Sequence, residues 1–192
     1  MLRMNGENNL FGDRLVPTEY LLIIHPSERT AQKVSQLKQR LWEMFGAFPS
    51  GRSMAHISLV NFFLDMNREE KIIEGIERVV NGHKPFEVRL RDFDQFPDSK
   101  TIFINVIDQE PVRNLTLDLV TYFRLNYVTG KYLHATLTPH MTVARKLEEL
   151  QFQMASEILE GQEFRDAFLV DKVVLLKRID GKLKEYKTFH IE

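Results

Sequence analysis

Two short segments of this sequence place a histidine and a hydroxyl residue two positions apart inside apolar runs: His56-Ile57-Ser58-Leu59 and His140-Met141-Thr142-Val143. On an extended strand, residues i and i+2 share one face, and i+1 and i+3 share the other. His56 and Ser58 therefore point one way, while Ile57 and Leu59 point into a core. His140 and Thr142 repeat the arrangement, backed by Met141 and Val143. Each strand presents an imidazole and a hydroxyl about 7 Å apart along the chain. Histidine titrates near 6.5, so it can act as a base when neutral and as an acid when protonated. One histidine could take a proton from an attacking hydroxyl or water, and the other could return one to a leaving oxygen. That is the proton traffic of phosphoryl chemistry on ribose. The hydroxyls would donate to non-bridging phosphate oxygens, where charge accumulates. No metal or other cofactor is required by such a set. Which histidine is acid and which is base is not written in the sequence, and the roles reverse with the direction of reaction.

The pattern alone does not select its members. His-x-Ser/Thr occurs at His25, His56, His134 and His140, four of the six histidines. At His25 a proline follows and Glu28 fills the apolar fourth position, so that instance fails. His134-Ala135-Thr136-Leu137 passes fully and rivals His140. Context separates them. Pro139 suits the first position of a strand and biases Thr138 towards extended backbone. Arg145 and Lys146 follow the second tetrad, putting cationic groups just beyond its hydroxyl. If residues 134–142 formed one straight strand, His134 would lie roughly 20 Å from His140 and could not touch the same phosphate. His83 and His190, like His25, carry no comparable context. Arg145 is a candidate phosphate ligand. Tyr132 and Phe62 could stack on a base, although ordinary packing explains both.

The elements that must position these residues follow from hydrophobic period. Tyr20 to Ile24 reads as a buried strand, ended by His25-Pro26-Ser27. Val34, Leu37, Leu41 and Phe45 recur at helical spacing over 28–45. A strand is expected over 54–64, a helix over 68–80 stopped at Asn81-Gly82, and strands over 86–90 and 101–107 joined through Pro97-Asp98-Ser99. A helix follows at 110–126, a strand over 131–145 and a helix over 147–160. Two last strands, 168–176 and 186–191, make a hairpin around Gly181. The order β-α-β-α-β-β-α-β-α-β-β mixes helices with hairpins, which predicts an α+β fold. Each half holds a strand bearing His-x-Ser/Thr followed by a helix. Residues 1 to about 17 are polar and mixed, and a loosely ordered entry is expected there.

The paired tetrads resemble the two signature motifs, written HxTx, of the 2H phosphoesterase superfamily. The run Pro139-His140-Met141-Thr142-Val143-Ala144-Arg145 is especially similar to the second motif of its bacterial 2′-5′ RNA ligase-like branch. The separation 140 − 56 = 84 residues, the chain length and the element order fit that layout. The resemblance implies a single LigT-like unit over 1–192, with two pseudo-symmetric lobes of antiparallel-rich sheet and flanking helices around a central cleft. It implies hydrolysis of 2′,3′-cyclic phosphates, or hydrolysis and joining of 2′-5′ linkages, of nucleotides or RNA ends. His56 and His140 would be catalytic, and Ser58, Thr142 and Arg145 would bind phosphate. Ser58 stands where threonine is common, which keeps the hydroxyl. Asn61-Phe62-Phe63 replaces the shorter apolar-plus-glycine ending expected after the first motif and bears on substrate choice.

Composition narrows the alternatives. The chain has 192 residues, 43% hydrophobic and 28% charged, the balance of a globular protein. A net charge of −1 lacks the basic excess of proteins that coat long nucleic acid, so a small ligand or a chain end is the expected partner. No cysteine is present, which excludes disulfides, thiolate chemistry and cysteine-based zinc sites. The apolar run 20–24 is too short to span a membrane or serve as a signal segment. A cytoplasmic location is expected by default, and a monomer is the expected state. A metal-dependent hydrolase is disfavoured, because neither His-x-His nor His-Glu-x-x-His occurs. A nucleotide- or RNA-end-binding protein without turnover is the alternative, although binding alone has no need for two titrating groups.

Overall fold

The computed structural model describes residues 17–126 and 128–192. The expectation of a loose entry segment falls, apart from Pro17, outside those residues. Nine strands and four α-helices alternate among them: β1 (Thr18–Ile24), α1 (Glu28–Phe45), β2 (Ile57–Leu64), α2 (Glu69–Asn81), β3 (Phe86–Phe96), β4 (Thr101–Ile107), α3 (Glu110–Leu125), β5 (Leu133–Ala135), β6 (His140–Ala144), α4 (Glu149–Leu159), β7 (Arg165–Val170), β8 (Lys172–Ile179) and β9 (Lys182–His190). Ser27 caps α1, its hydroxyl accepting from the Thr30 N–H. Gly82 ends α2 as expected.

Every strand pairing is antiparallel, in the order β7-β3-β4-β6-β2-β1-β8-β9, with β5 also on β2. Helices α1 and α4 pack on the β4, β6 and β7 side. Helices α2 and α3 pack against each other and against β2 and β9. The two halves meet at a single β2–β6 ladder pair, Ile57 with Met141.

The halves also share a defect. The ladder steps from Ile23–Ser58 to Leu22–Val60, leaving Leu59 as an extra residue. It steps from Phe103–Thr142 to Ile102–Ala144, leaving Val143 extra. In both, a β-bulge falls on the residue directly after the tetrad hydroxyl. The bulge lets two consecutive residues turn inward, and Leu59-Val60 and Val143-Ala144 are all buried.

Two expected strands are divided. Residues 131–145 form β5 and β6, separated at Thr136–Pro139. The last bond of the first piece runs from the Thr136 N–H to the Leu59 carbonyl, and Pro139 has no N–H to continue the ladder. Residues 168–176 break at Asp171: β7 pairs with β3, and β8 pairs with β1 and β9 in the other half of the sheet. Strand β3 runs six residues past its expected end, kinked by a bulge at Asp92, whose φ is 53°. The final hairpin turns at Asp180-Gly181 with both φ positive, 51° and 74°, the backbone a two-residue β-hairpin turn demands.

The α2–α3 contact depends on a missing side chain. A Cβ on Gly75 would lie 1.9 Å from the Tyr122 hydroxyl, which donates to the Lys71 carbonyl. Gly75→Ala must displace the tyrosine, and it is expected to cost about 1–3 kcal/mol. A lower midpoint of urea unfolding at unchanged slope would register the loss.

Candidate active site

Cross-strand partners in an antiparallel ladder point to the same face. Ile57 and Met141 are paired and fully buried, so both point into the core. Their neighbours His56, Ser58, His140 and Thr142 must then project from the opposite face, and each is half-buried there. Ser58 and His140 therefore lie on one side of that single pair, and Thr142 and His56, the residue just before β2, lie on the other. The two tetrads, 84 residues apart in sequence, thus become one four-residue square on adjacent strands.

Both imidazoles are held in the same way. Nδ1 of His56 lies 2.9 Å from the Met54 carbonyl oxygen, and Nδ1 of His140 lies 2.7 Å from that of Thr138. A carbonyl can only accept, so Nδ1–H donates in each case. The neutral ring therefore keeps its lone pair on Nε2. In both cases the anchor is the carbonyl two residues upstream of the histidine. Burial pushes the His56 pKa below its ordinary value; the Met54 bond opposes this, and the nearby charges of Lys38, His25 and Arg145 add to it. Burial likewise lowers His140, against the pull of the Thr138 carbonyl. Phe96 and Phe103 enclose His140, with ring centroids 5.1 and 5.0 Å from it.

The loop ahead of His56 is fixed by a buried lysine. Lys38 of α1, 2% exposed, donates to the Ser53 carbonyl at 2.9 Å, the Ser53 hydroxyl at 3.1 Å and the Ser50 carbonyl at 3.3 Å. Burial, helped by the Arg145 charge, pulls its pKa down to about 8. The hydroxyl of Ser50, itself buried, accepts from the backbone N–H of Arg145 at 2.9 Å. Lys38 and Ser50 therefore tie the segment leading into the first tetrad to the segment leaving the second. A groove of about 480 Å³ opens beside this loop, lined by His25, Ser35, Lys38, Arg52, Ser53 and Met54 among others.

Arg145 is exposed at the end of β6, and its charge acts on both His56 and Lys38. Lys146 is exposed, with φ at 52°. His134 does not share a straight strand with His140: it sits on β5 opposite Asn61, with Nε2 3.0 Å from the Lys131 carbonyl. Asn61 is three residues from Ser58 on β2, so the strand break brings His134 nearer the square than a continuous strand would. Phe62 is core, stacked on Tyr20 and tilted against Phe123, and presents no face to a base. Tyr132 is exposed, edge-on to Phe63. His25 and His83 pair with Glu185 and Asp118, each at 3.1 Å. His190 is exposed on β9 opposite Lys172.

The residues that sequence reasoning missed are Lys38, Ser50, Phe96 and Phe103. Lys38 left a readable signal. It occupies the i+4 position of the Val34-Leu37-Lys38-Leu41 stripe, where a charge must be buried. Phe96 and Phe103 carry no such mark, because only strand register brings them to His140. Among the described residues no three His, Asp or Glu side chains gather to hold a metal ion, and no helix is long and apolar enough to cross a membrane.

Comparison with known proteins places the fold and the family. The model of the 2′-5′ RNA ligase superfamily matches residues 25–182. A relative from Oceanobacillus iheyensis, named "Putative phosphoesterase OB1230", is 25% identical over 174 residues, covering 89% of this chain and 96% of its own length. TT0787 of Thermus thermophilus has the same fold, with a TM-score of 0.68 at 14% identity over 90% of this chain and 97% of that one. So does Escherichia coli LigT in complex with 3′-AMP, with a TM-score of 0.66 at 13% identity over 92% and 98%. LigT has also been solved with phosphate, ATP and NADP+. The match spans both tetrads and both halves of the sheet, and the chain belongs to the 2′-5′ RNA ligase superfamily of 2H phosphoesterases.

Proposed function

We propose that this protein is a metal-independent phosphoesterase that acts on 2′,3′-cyclic phosphates or 2′-5′ phosphodiester linkages of nucleotides or RNA ends. One observation carries the reading. Two His-x-Ser/Thr units stand side by side on adjacent strands, and each histidine is tethered through Nδ1 so that Nε2 is the free nitrogen. In hydrolysis, one Nε2 accepts a proton from water as its oxygen bonds to phosphorus. The other, protonated, delivers a proton to the ribose oxygen as its bond to phosphorus breaks. Ser58 and Thr142 donate to the non-bridging oxygens, and Arg145, just past the end of β6, adds a charge that reaches His56. With the 5′-hydroxyl of a second RNA end in place of water, the same groups open the cyclic phosphate: the 5′ oxygen bonds to phosphorus as the bond to the 3′ oxygen breaks, which leaves a 2′-5′ linkage. A cytoplasmic monomer with a nucleotide or RNA-end substrate completes the reading. The nucleotides bound by LigT support this class of ligand.

The pH dependence tests the assignment. Both histidines are held below the ordinary imidazole value, chiefly by burial. The base therefore stays neutral to lower pH, and the acid loses its proton at lower pH. The kcat/KM of the free enzyme should follow a bell whose maximum lies below about pH 6.5, already falling at neutrality. The same shifts mean that the unfolded chain takes up protons first on acidification. Stability should accordingly decline as pH falls below 6.5. A kcat/KM that rises steadily from pH 6 to 8 would contradict the assignment. Tight binding of a cyclic phosphate with no product after long incubation would favour the binding-protein alternative.

A further inference from the structure

The square of His56, Ser58, His140 and Thr142 lies within rows of cross-strand partners that share its face. From His140 the row runs through Asn105 on β4 and Arg91 on β3 to Arg165 on β7. From Thr142 it runs to Phe103 and then Asp94. Beyond Ser58, in the other half of the sheet, it runs through Ile23 and Val174 to Thr188. The three directions differ in chemistry. The Ser58 side is apolar, with Ile23 and Val174 both buried. The Thr142 side is aromatic and then acidic. Only the His140 row offers an amide and two cations in succession.

The spacing suits a chain of phosphates. Neighbouring strands lie about 4.8 Å apart, which puts the backbones of Arg91 and Arg165 roughly 10 and 14 Å from that of His140. Both side chains are more than half exposed. Their carboxylate contacts are loose: Arg91 Nε to Asp92 at 3.6 Å, and Arg165 Nη2 to Glu163 at 3.4 Å. Exposed pairs of this kind hold a guanidinium weakly and yield it to a phosphate. The neighbouring Arg89 is different, since Asp108 and Glu87 both engage it. The net charge of −1 is compatible with such a local track, because two arginines cover a few phosphates rather than coat a polymer.

Resting on the phosphoesterase reading of the two histidines, we infer that Asn105, Arg91 and Arg165 form an accessory phosphate-binding track, which engages the phosphodiester backbone adjoining the reacting end of a substrate several nucleotides long. Contacts of this kind position a strand without reading its sequence. The test compares native protein, R91Q/R165Q and a control, R113Q, on the exposed face of α3. Substrates are a tetranucleotide ending in a 2′,3′-cyclic phosphate and a mononucleotide 2′,3′-cyclic phosphate. R91Q/R165Q should raise KM for the tetranucleotide at least tenfold more than for the mononucleotide, while R113Q follows native protein. Binding of a fluorescein-labelled tetranucleotide with a 3′-phosphate should lose about 1.4 from its log K against log salt slope, roughly 0.7 for each phosphate contact. Equal effects on the two substrates, or an unchanged slope, would overturn the track and leave the catalytic reading standing. A native protein that hydrolyses neither substrate, yet binds the labelled RNA with the expected loss of slope in R91Q/R165Q, would sink the catalytic reading and keep the track.

Discussion

Replacing His140 with alanine is expected to lower kcat on a 2′,3′-cyclic phosphate by roughly 10²–10⁴, and replacing His56 to do the same. Each imidazole handles one of the two protons that must move when a P–O bond is exchanged, so neither can cover for the other. The double variant should be little worse than the weaker single variant, because groups that act as a unit are not additive. Both side chains sit on the open face of the sheet, away from the core that Ile57 and Met141 anchor. The fold should therefore survive, with denaturant midpoints close to native. His140 also touches Phe96 and Phe103, so some local loosening is expected there. Single variants that keep near-native turnover on cyclic and 2′-5′ substrates alike would remove the assignment.

Lys38→Met is expected to reduce kcat by tens- to a hundredfold although Lys38 lies behind the site. The lysine fixes Ser50 and Ser53, and Met54, next in the chain, supplies the carbonyl that sets the His56 tautomer and ring orientation. A displacement of about 1 Å in a reacting group costs on the order of 10²-fold. Net stability at neutral pH should change little, because two effects oppose each other. Two carbonyls lose a donor, at about 1–3 kcal/mol each. The burial of a charge is relieved, which a pKa drawn from 10.5 to about 8 puts on the order of 3 kcal/mol. The sign has a second readout. A depressed lysine binds its proton less tightly folded than unfolded, so native stability should rise as pH climbs from about 8 to 10.5. Lys38→Met should abolish that rise. A variant with native kcat, or one that keeps the alkaline gain, would show that Lys38 does not hold the loop in this way.

Much of the fold was legible because its elements carry strong periods. The helix stripes of Val34-Leu37-Leu41 and Ile72-Ile76-Val80 face the core as their spacing requires. The strand parity of both tetrads also holds, with Ile57, Leu59, Met141 and Val143 buried. What escaped was register and interruption. Residues 131–145 read as one extended run; Pro139 marks a strand start within it, but nothing local says that β5 and β6 pair with β2 at separate places. Phe168 to Leu176 is apolar except at Asp171-Lys172, so that charged pair is the local sign that the chain changes partners there. The site was half visible for the same reason. Residue types picked out His56, Ser58, His140 and Thr142, but their meeting rests on a single ladder pair between strands 84 residues apart. Phe103, Asn105 and Arg91 join through cross-strand register, which one sequence does not encode locally. Phe62 shows the converse: an aromatic near a motif belonged to the core.

The most direct test of the central claim is product formation by the chelator-dialysed native protein on RNA ending in a 2′,3′-cyclic phosphate, followed beside the His56→Ala/His140→Ala variant. Ring opening to a phosphomonoester is expected at an undiminished rate in chelator, unchanged by added zinc or manganese, and lost in the variant. Turnover that vanishes on dialysis and returns with metal, or that persists in the double variant, would contradict the claim.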